Sequence, residues 1–176
     1  DYVNTLYFTG VLTGSAGKDG KLYFRPDDPM TRQEFILALM RFLSVDTDSY
    51  ASSTLPFDDS AKIAAWAQNA MKAAYALSYV GGSSSGGKLY ANPTASISRQ
   101  EAMVILARTQ HLSSTADTSA LDAFPDRSKV ASWASSALAQ MVKKGIITGS
   151  NGRLNPTGNV KRAEVAKMLY AISEQS

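Results

Sequence analysis

The chain of 176 residues has no cysteine and a single histidine, His111. Without cysteine there are no disulfides, no thiolate zinc sites and no cysteine nucleophile. His111 falls on the tail of a predicted helix and reads as a surface residue. That leaves no basis for a histidine triad or a two-histidine metal site. Long apolar runs are also missing. Polar or charged residues interrupt every hydrophobic stretch well before the roughly 20 positions needed to cross a bilayer. The opening Asp1-Tyr2-Val3 lacks the basic start and apolar stretch of a secretory leader, so an exported form of this chain is expected to be a mature form or an excised fragment.

Charge is sparse, at 19%, against a hydrophobic fraction of 44%, which is the balance of a globular domain rather than a disordered chain. The length suits one domain with a real core. The net charge of +3 and pI near 9.1 favour anionic partners in general. The 18 lysines and arginines are dispersed, never more than two in a row and without interleaved aromatics, which argues against nucleic acid.

What is present is a repeat, the pattern that governs a fold when it occurs. Trp66 and Trp133 stand 67 positions apart, as do Phe57 and Phe124, and Asp59 and Asp126. Pro26, Pro93 and Pro156 recur at intervals of 67 and 63, and so do Arg32, Arg99 and Arg162. Each copy reads as Phe-x-Asp, an alanine-rich helix, a glycine turn, a short loop to the proline, and a second helix opening at the arginine. In copy two the first helix places Ile63, Trp66, Ala70, Ala73 and Leu77 on one face. In copy three Val130, Trp133, Ala137 and Met141 do the same, a helical spacing that predicts core packing for both tryptophans. The turns are Gly10 to Gly14, Ser78 to Gly82 and Gly145 to Gly149, whose glycines are expected to end helices. Gly81 to Gly87 is all glycine and serine and reads as a mobile loop. The second helix carries Phe35, Leu39 and Leu43, then Ile105, then Val165, Met168, Leu169 and Ile172. Segments 44–56 and 112–123 read as linkers. Copy one lacks its Phe-x-Asp and tryptophan, which would precede Asp1.

The sharpest constellation is Thr31-Arg32-Gln33-Glu34, Ser98-Arg99-Gln100-Glu101 and Lys161-Arg162-Ala163-Glu164. Thr31 with Glu34, and Ser98 with Glu101, form capping boxes, with Glu164 in the same place in copy three. Met30 with Phe35, and Val160 with Val165, occupy hydrophobic-staple positions. Lys161 cannot accept a capping bond, so its helix start is expected to be weaker or capped by another group. Capping leaves the arginine unexplained, because a cation at the first helical position opposes the helix dipole by about 0.3–1 kcal/mol. Two readings stand. One is purely structural. In the other, the guanidinium joins free amides at the helix start to hold a carboxylate or phosphate. The Phe-x-Asp aspartates have two readings as well, as caps of the following helix or as ligand contacts.

Together with Phe24-Arg25-Pro26, Tyr90-Ala91-Asn92-Pro93 and Leu154-Asn155-Pro156, these elements resemble the S-layer homology (SLH) domain family. The resemblance covers nearly the whole chain as three tandem motifs, at 1–50, 55–112 and 122–176, the first N-terminally incomplete. Copy two carries Ser78-Tyr79-Val80-Gly81-Gly82 where the family has Gly-Ile-x-x-Gly. The resemblance implies an all-α fold, a pseudo-threefold three-pronged spindle around a central three-helix bundle. It implies a non-catalytic anchor at the bacterial cell surface or S-layer, needing no cofactor. Its partner would be an anionic secondary cell wall polysaccharide, typically bearing a pyruvylated amino sugar, held in grooves between prongs. Carried onto this chain, Arg32, Arg99 and Arg162 would grip the carboxylate, and Gly14, Gly82 and Gly149 would shape the grooves. Trp66, Trp133, Asp59 and Asp126 would line them. Other surface-protein domains could adjoin the chain.

Enzymatic chemistry finds little support. The acidic residues fall mainly at caps and linkers, and the distinctive residues recur, whereas an active site is one asymmetric constellation. Lys18-Asp19-Gly20-Lys21 lacks the alternating oxygen ligands of a calcium loop. The rival to a glycan anchor is a structural or protein-interaction module of a surface lattice.

Overall fold

A computed structural model describes residues 10–175; the opening Asp1-Tyr2-Val3 lies outside them. Among the described residues five α-helices dominate: α1 Arg32–Phe42, α2 Gln68–Ala76, α3 Arg99–Thr109, α4 Ser132–Lys143 and α5 Arg162–Ser173. The chain is not wholly helical. Ser15–Ala16 (β1) pairs with Leu22–Tyr23 (β2), and Ser83–Ser85 (β3) pairs with Lys88–Tyr90 (β4), both antiparallel. The second hairpin occupies the glycine–serine segment read as a loop. Gly86 and Gly87, both at positive φ, supply its tight turn. The two linkers contain the 3₁₀ turns Thr47–Tyr50 and Ser119–Ala123, which pack on α2 and α4.

The three copies interlock cyclically. Met30, Ile97 and Val160 precede the three helix starts and are fully buried. Met30 N–H donates to Val160 O at 3.1 Å, Val160 N–H to Ile97 O at 3.0 Å, and Ile97 N–H to Met30 O at 3.0 Å. Three buried backbone donors and three acceptors thus satisfy one another in a closed ring. Outward from the ring, the first amides of each second helix donate to the proline loop of the next copy. Arg32 and Gln33 reach Ala95 and Pro93, Arg99 and Gln100 reach Gly158 and Pro156, and Arg162 and Ala163 reach Asp28 and Pro26. Two of the second helices also pack on the first helix of the following copy, α1 on α2 and α3 on α4. The alanines permit this: Ala70, Ala73 and Ala74 on α2, and Ala134 and Ala139 on α4, are buried.

The first helices begin later than the periodicity suggested. Ile63 and Val130 end short 3₁₀ turns, and Trp66 sits in a further 3₁₀ turn, Ala65–Ala67. This offset swings both indoles out of the core. Trp66 is 53% and Trp133 58% exposed, so the expected core packing is corrected.

Candidate functional site

The capping boxes form as their sequences dictate. Glu34 Oε2 accepts from Thr31 N–H at 2.8 Å and Glu101 Oε2 from Ser98 N–H at 2.9 Å, while each hydroxyl takes the N–H of the glutamate. In copy three Glu164 Oε2 accepts from Lys161 N–H at 2.8 Å, but the ammonium has no lone pair to return. The Lys161 carbonyl receives Glu164 N–H instead, at 3.0 Å. Burial pushes the Glu101 carboxyl up, but the Ser98 bonds and the Arg32 charge outweigh it and hold it below its ordinary 4.5.

The helix-start amides are not free for a ligand, since the neighbouring copy's proline loop occupies them. This corrects the expectation that an anion would sit on those amides. It also explains the arginine. Each guanidinium Nε donates to the carbonyl two residues before a proline: Arg32 to Ala91 O at 3.1 Å, Arg99 to Leu154 O at 2.8 Å, and Arg162 to Phe24 O at 2.8 Å. These carbonyls offset the unfavourable dipole by direct hydrogen bonding. Arg32 Nη1 also pairs with Glu101 of the next copy at 2.6 Å, and Arg99 Nη1 pairs with Glu164. Arg162 departs from this pattern. Its Nη2 donates to Thr13 O at 2.6 Å, and its guanidinium lies 5.1 Å from the Phe24 ring centroid. Burial depresses the Arg162 pKa, against the raising effect of Glu34 and Asp28.

Of the two readings of the Phe-x-Asp aspartates, the structure overturns the capping one. Asp59 and Asp126 are buried and cap no helix with their side chains. Asp59 accepts from Ala91 and Asn92 N–H, both at 2.8 Å. Asp126 accepts from Leu154 N–H at 3.0 Å and Asn155 N–H at 2.8 Å. They therefore hold, from beneath, the loops whose carbonyls receive Arg32 and Arg99. Burial raises the Asp126 pKa, but the two amides more than reverse this and leave it below 3.8. Asn92 and Asn155, at φ +48° and +47°, suit the left-handed turn these loops require; copy one uses Arg25 at +52°.

The glycines matter for closeness. A Cβ on Gly82 would stand 2.6 Å from Phe57 Cε1 and 2.9 Å from Tyr90 O. On Gly149 it would stand 2.8 Å from Phe124 Cε1 and 2.9 Å from Arg153 O. The Phe of Phe-x-Asp thus lies directly against the glycine turn. Gly14 is looser, with Tyr23 O at 3.2 Å.

Three grooves result, each assembled from different copies. Groove one has Thr13 and Gly14 of the first turn, Glu34 and Arg41 of α1, Arg162 of copy three and Trp66 of copy two; its cavity is about 500 Å³. Groove two has Gly82 and Ser83, Glu101 and Arg108 of α3, Arg32 of copy one and Trp133 of copy three, with about 390 Å³. Groove three has Thr148 and Gly149, Glu164 and Lys167 of α5, and Arg99 of copy two, with about 140 Å³ and, among the described residues, no tryptophan in its lining. Each lining pairs two cations with one glutamate, a mildly positive concavity suited to an anion.

Two residues that sequence reasoning passed over place the indoles. Gln33 Oε1 accepts from Ala64 N–H, and Gln100 Oε1 from Ala131 N–H, both at 3.0 Å. Each pins the start of the tryptophan-bearing segment to the previous copy's second helix. Their spacing of 67, the same as the tryptophans', was the available signal. Among the described residues, no cluster of His, Cys, Asp or Glu could hold a metal ion, and no helix is long and apolar enough to cross a membrane.

The family model for the S-layer homology domain matches residues 1–36, 56–103 and 123–166. The chain is also 30% identical over 156 residues to an amylopullulanase of Thermoanaerobacterium thermosulfurigenes. That match covers 87% of this chain and 8% of the relative.

Proposed function

The chain belongs to the S-layer homology domain family, whose members are non-catalytic, cell-wall anchoring modules; from that premise we propose that it anchors its protein by binding an anionic secondary cell wall polysaccharide in the grooves between its copies. The preferred epitope is a pyruvylated amino sugar, whose ketal carboxylate meets an arginine and whose ring lies against an indole. One observation carries this reading. An arginine, a glycine turn and, in two grooves, an exposed tryptophan come from three different copies to one concavity. Exposing an indole to water has no packing benefit, and a flat apolar face beside a cation fits a charged sugar. The groove residues are Arg32, Arg99 and Arg162, Gly14, Gly82 and Gly149, Trp66 and Trp133. Asp59 and Asp126 act beneath the grooves as supports.

The closed ring of Met30, Ile97 and Val160 supports the pseudo-threefold spindle with a central three-helix bundle, and one domain of three motifs at 1–50, 55–112 and 122–176. The location that follows is the bacterial surface or S-layer, with further domains of the surface protein attached. A second reading has a specific observation in its favour. Arg32 and Arg99 are already paired with Glu101 and Glu164, as in a structural module of a lattice with no glycan ligand.

Co-sedimentation with wall sacculi separates the two, before and after the secondary polysaccharide is stripped. A triple Arg32→Ala, Arg99→Ala, Arg162→Ala variant, checked for folding, runs alongside. Anchoring predicts that pelleting is lost on stripping and on mutation. Pelleting indifferent to both sinks the groove mechanism and leaves the arginines as ties between copies.

A further inference from the structure

The three grooves share a plan but not a state, and the difference lies in what each arginine already holds. Arg32 and Arg99 each carry a glutamate carboxylate from the chain itself, in the position where a ligand carboxylate would compete for Nη1. Among the described residues, no carboxylate lies within ion-pair distance of Arg162; Glu34 and Asp28 act on it from farther away. Its terminal nitrogen Nη2 is engaged by a neutral carbonyl, Thr13 O, at the exposed rim. Access sets Arg99 apart: its side chain is only 8% exposed, whereas Arg32 and Arg162 are both half-buried. The cavities shrink from about 500 to 390 to 140 Å³.

We infer that the grooves are ranked for a carboxylate-bearing sugar: groove one is the principal site, groove two is held back by its own Glu101, and groove three is closed by Glu164. This rests on the glycan-anchor reading and assigns the division of labour within it. Physically, a ligand carboxylate entering groove one displaces at most a neutral carbonyl. Entering groove two it must displace an internal anion or share the guanidinium with it, losing a charge-assisted bond that it then replaces. The capping role of Glu101 keeps the internal anion in place. Its Oε2 holds Ser98 N–H while Oε1 holds Arg32, so the carboxylate cannot rotate away without unmaking the helix start. The same arrangement recurs at Glu164 with Arg99. Copy one differs because Glu34 caps Thr31 at 2.8 Å but does not reach Arg162.

The two tryptophans make the test direct, because each reports one groove. The protein is labelled with nitrogen-15, and fragments of the secondary wall polysaccharide, released enzymatically so that the ketal survives, are titrated in. The two indole N–H signals are assigned by Trp66→Phe and Trp133→Phe, and the Gly149 amide serves groove three. Trp66 is expected to reach its midpoint at about a tenfold lower concentration than Trp133, the equivalent of roughly 1.4 kcal/mol, with Gly149 unmoved. Glu101→Gln retains a glutamine that serves the same box position. It should bring the Trp133 midpoint down about tenfold while leaving that of Trp66 alone. Arg162→Gln should abolish the Trp66 response and spare that of Trp133. A gain of binding cannot come from misfolding, so the Glu101→Gln arm stands even if an arginine variant folds poorly. Trp133 responding first, equal midpoints, or a Trp133 midpoint unchanged by Glu101→Gln overturns the ranking while leaving the anchor intact. If neither indole moves and the triple arginine variant still pellets with sacculi, the anchor reading fails and the ranking with it.

Discussion

Replacing Asp126 probes how a buried carboxylate builds the surface above it. Its two oxygens take two backbone amides, Leu154 at 3.0 Å and Asn155 at 2.8 Å, and the residue is 4% exposed. In Asp126→Ala both N–H groups lose their partners in a buried setting, at about 1–3 kcal/mol each. The expected loss is therefore about 3–5 kcal/mol, a large part of the stability of a domain this size, and a fall in Tm of roughly 10 °C. Asp126→Asn keeps one acceptor but turns an NH2 toward the other donor, for a loss of about 2–3 kcal/mol. The asparagine variant also carries the sign test. The folded Asp126 pKa lies below its ordinary 3.8, so its contribution is fully present above that value and lost as pH falls through the folded value. Urea titrations of wild type and Asp126→Asn should show a constant gap from pH 7 to about pH 5. The gap should narrow once the pH drops below the ordinary 3.8 and close as it falls through the folded value, where the wild-type carboxyl is protonated too. The depressed Glu101 is common to both proteins and cancels. A gap of equal size at pH 7 and pH 3 would refute an ionised, hydrogen-bonded Asp126. Because Leu154 O receives Arg99 Nε, the same variant should loosen groove three, visible as a shift of the Gly149 amide.

Three further outcomes follow from local geometry. Gly149→Ala should destabilise by about 2–4 kcal/mol, combining the left-handed backbone with a clash against Phe124. Gly152→Ala, at φ +70° but with nothing within 4 Å, should cost only about 1–2 kcal/mol in the same thermal melt. Lys161→Ser supplies the hydroxyl missing from the third capping box and should raise stability by about 1 kcal/mol in denaturant titration. The exposed Lys161–Asp27 pair lost with it offsets little. Trp66→Ala and Trp133→Ala remove exposed side chains, so Tm should barely change while sacculus pelleting weakens. A large fall in Tm would return the indoles to a structural role.

How legible the molecule was depends on which residue is asked about. Phe35, Leu39, Ile105, Val165, Met168 and Leu169 lie buried where helical spacing put them, because an amphipathic stripe fixes its own inward face. Thr31 with Glu34 and Ser98 with Glu101 formed their boxes because capping involves only four consecutive residues. The glycine–serine segment at 81–87 was misread because composition signals flexibility, whereas two glycines at positive φ also make a hairpin turn. The tryptophans were misplaced because the spacing of three and four assumed an α-helix running from Ile63. A 3₁₀ turn at Ala65–Ala67 shifts the register and rotates the Trp66 indole outward, while Trp133 stands exposed in the first turn of α4.

The sequence by itself determined the threefold repeat, the starts of the second helices, the absence of cysteine chemistry and the family, because these depend on residue order and nearest neighbours along the chain. Only the tertiary structure decided what the recurrent arginines and aspartates hold. Arg32 meets Glu101 across 69 positions, and Asp59 meets Ala91 across 32. The cyclic exchange between copies is what brings them together. It also made the three copies unequal, since a carboxylate can reach Arg32 and Arg99 while a carbonyl meets Arg162, from motifs that read alike. Repetition in sequence fixes which side chains are available; the distances at closure fix which of them are already taken.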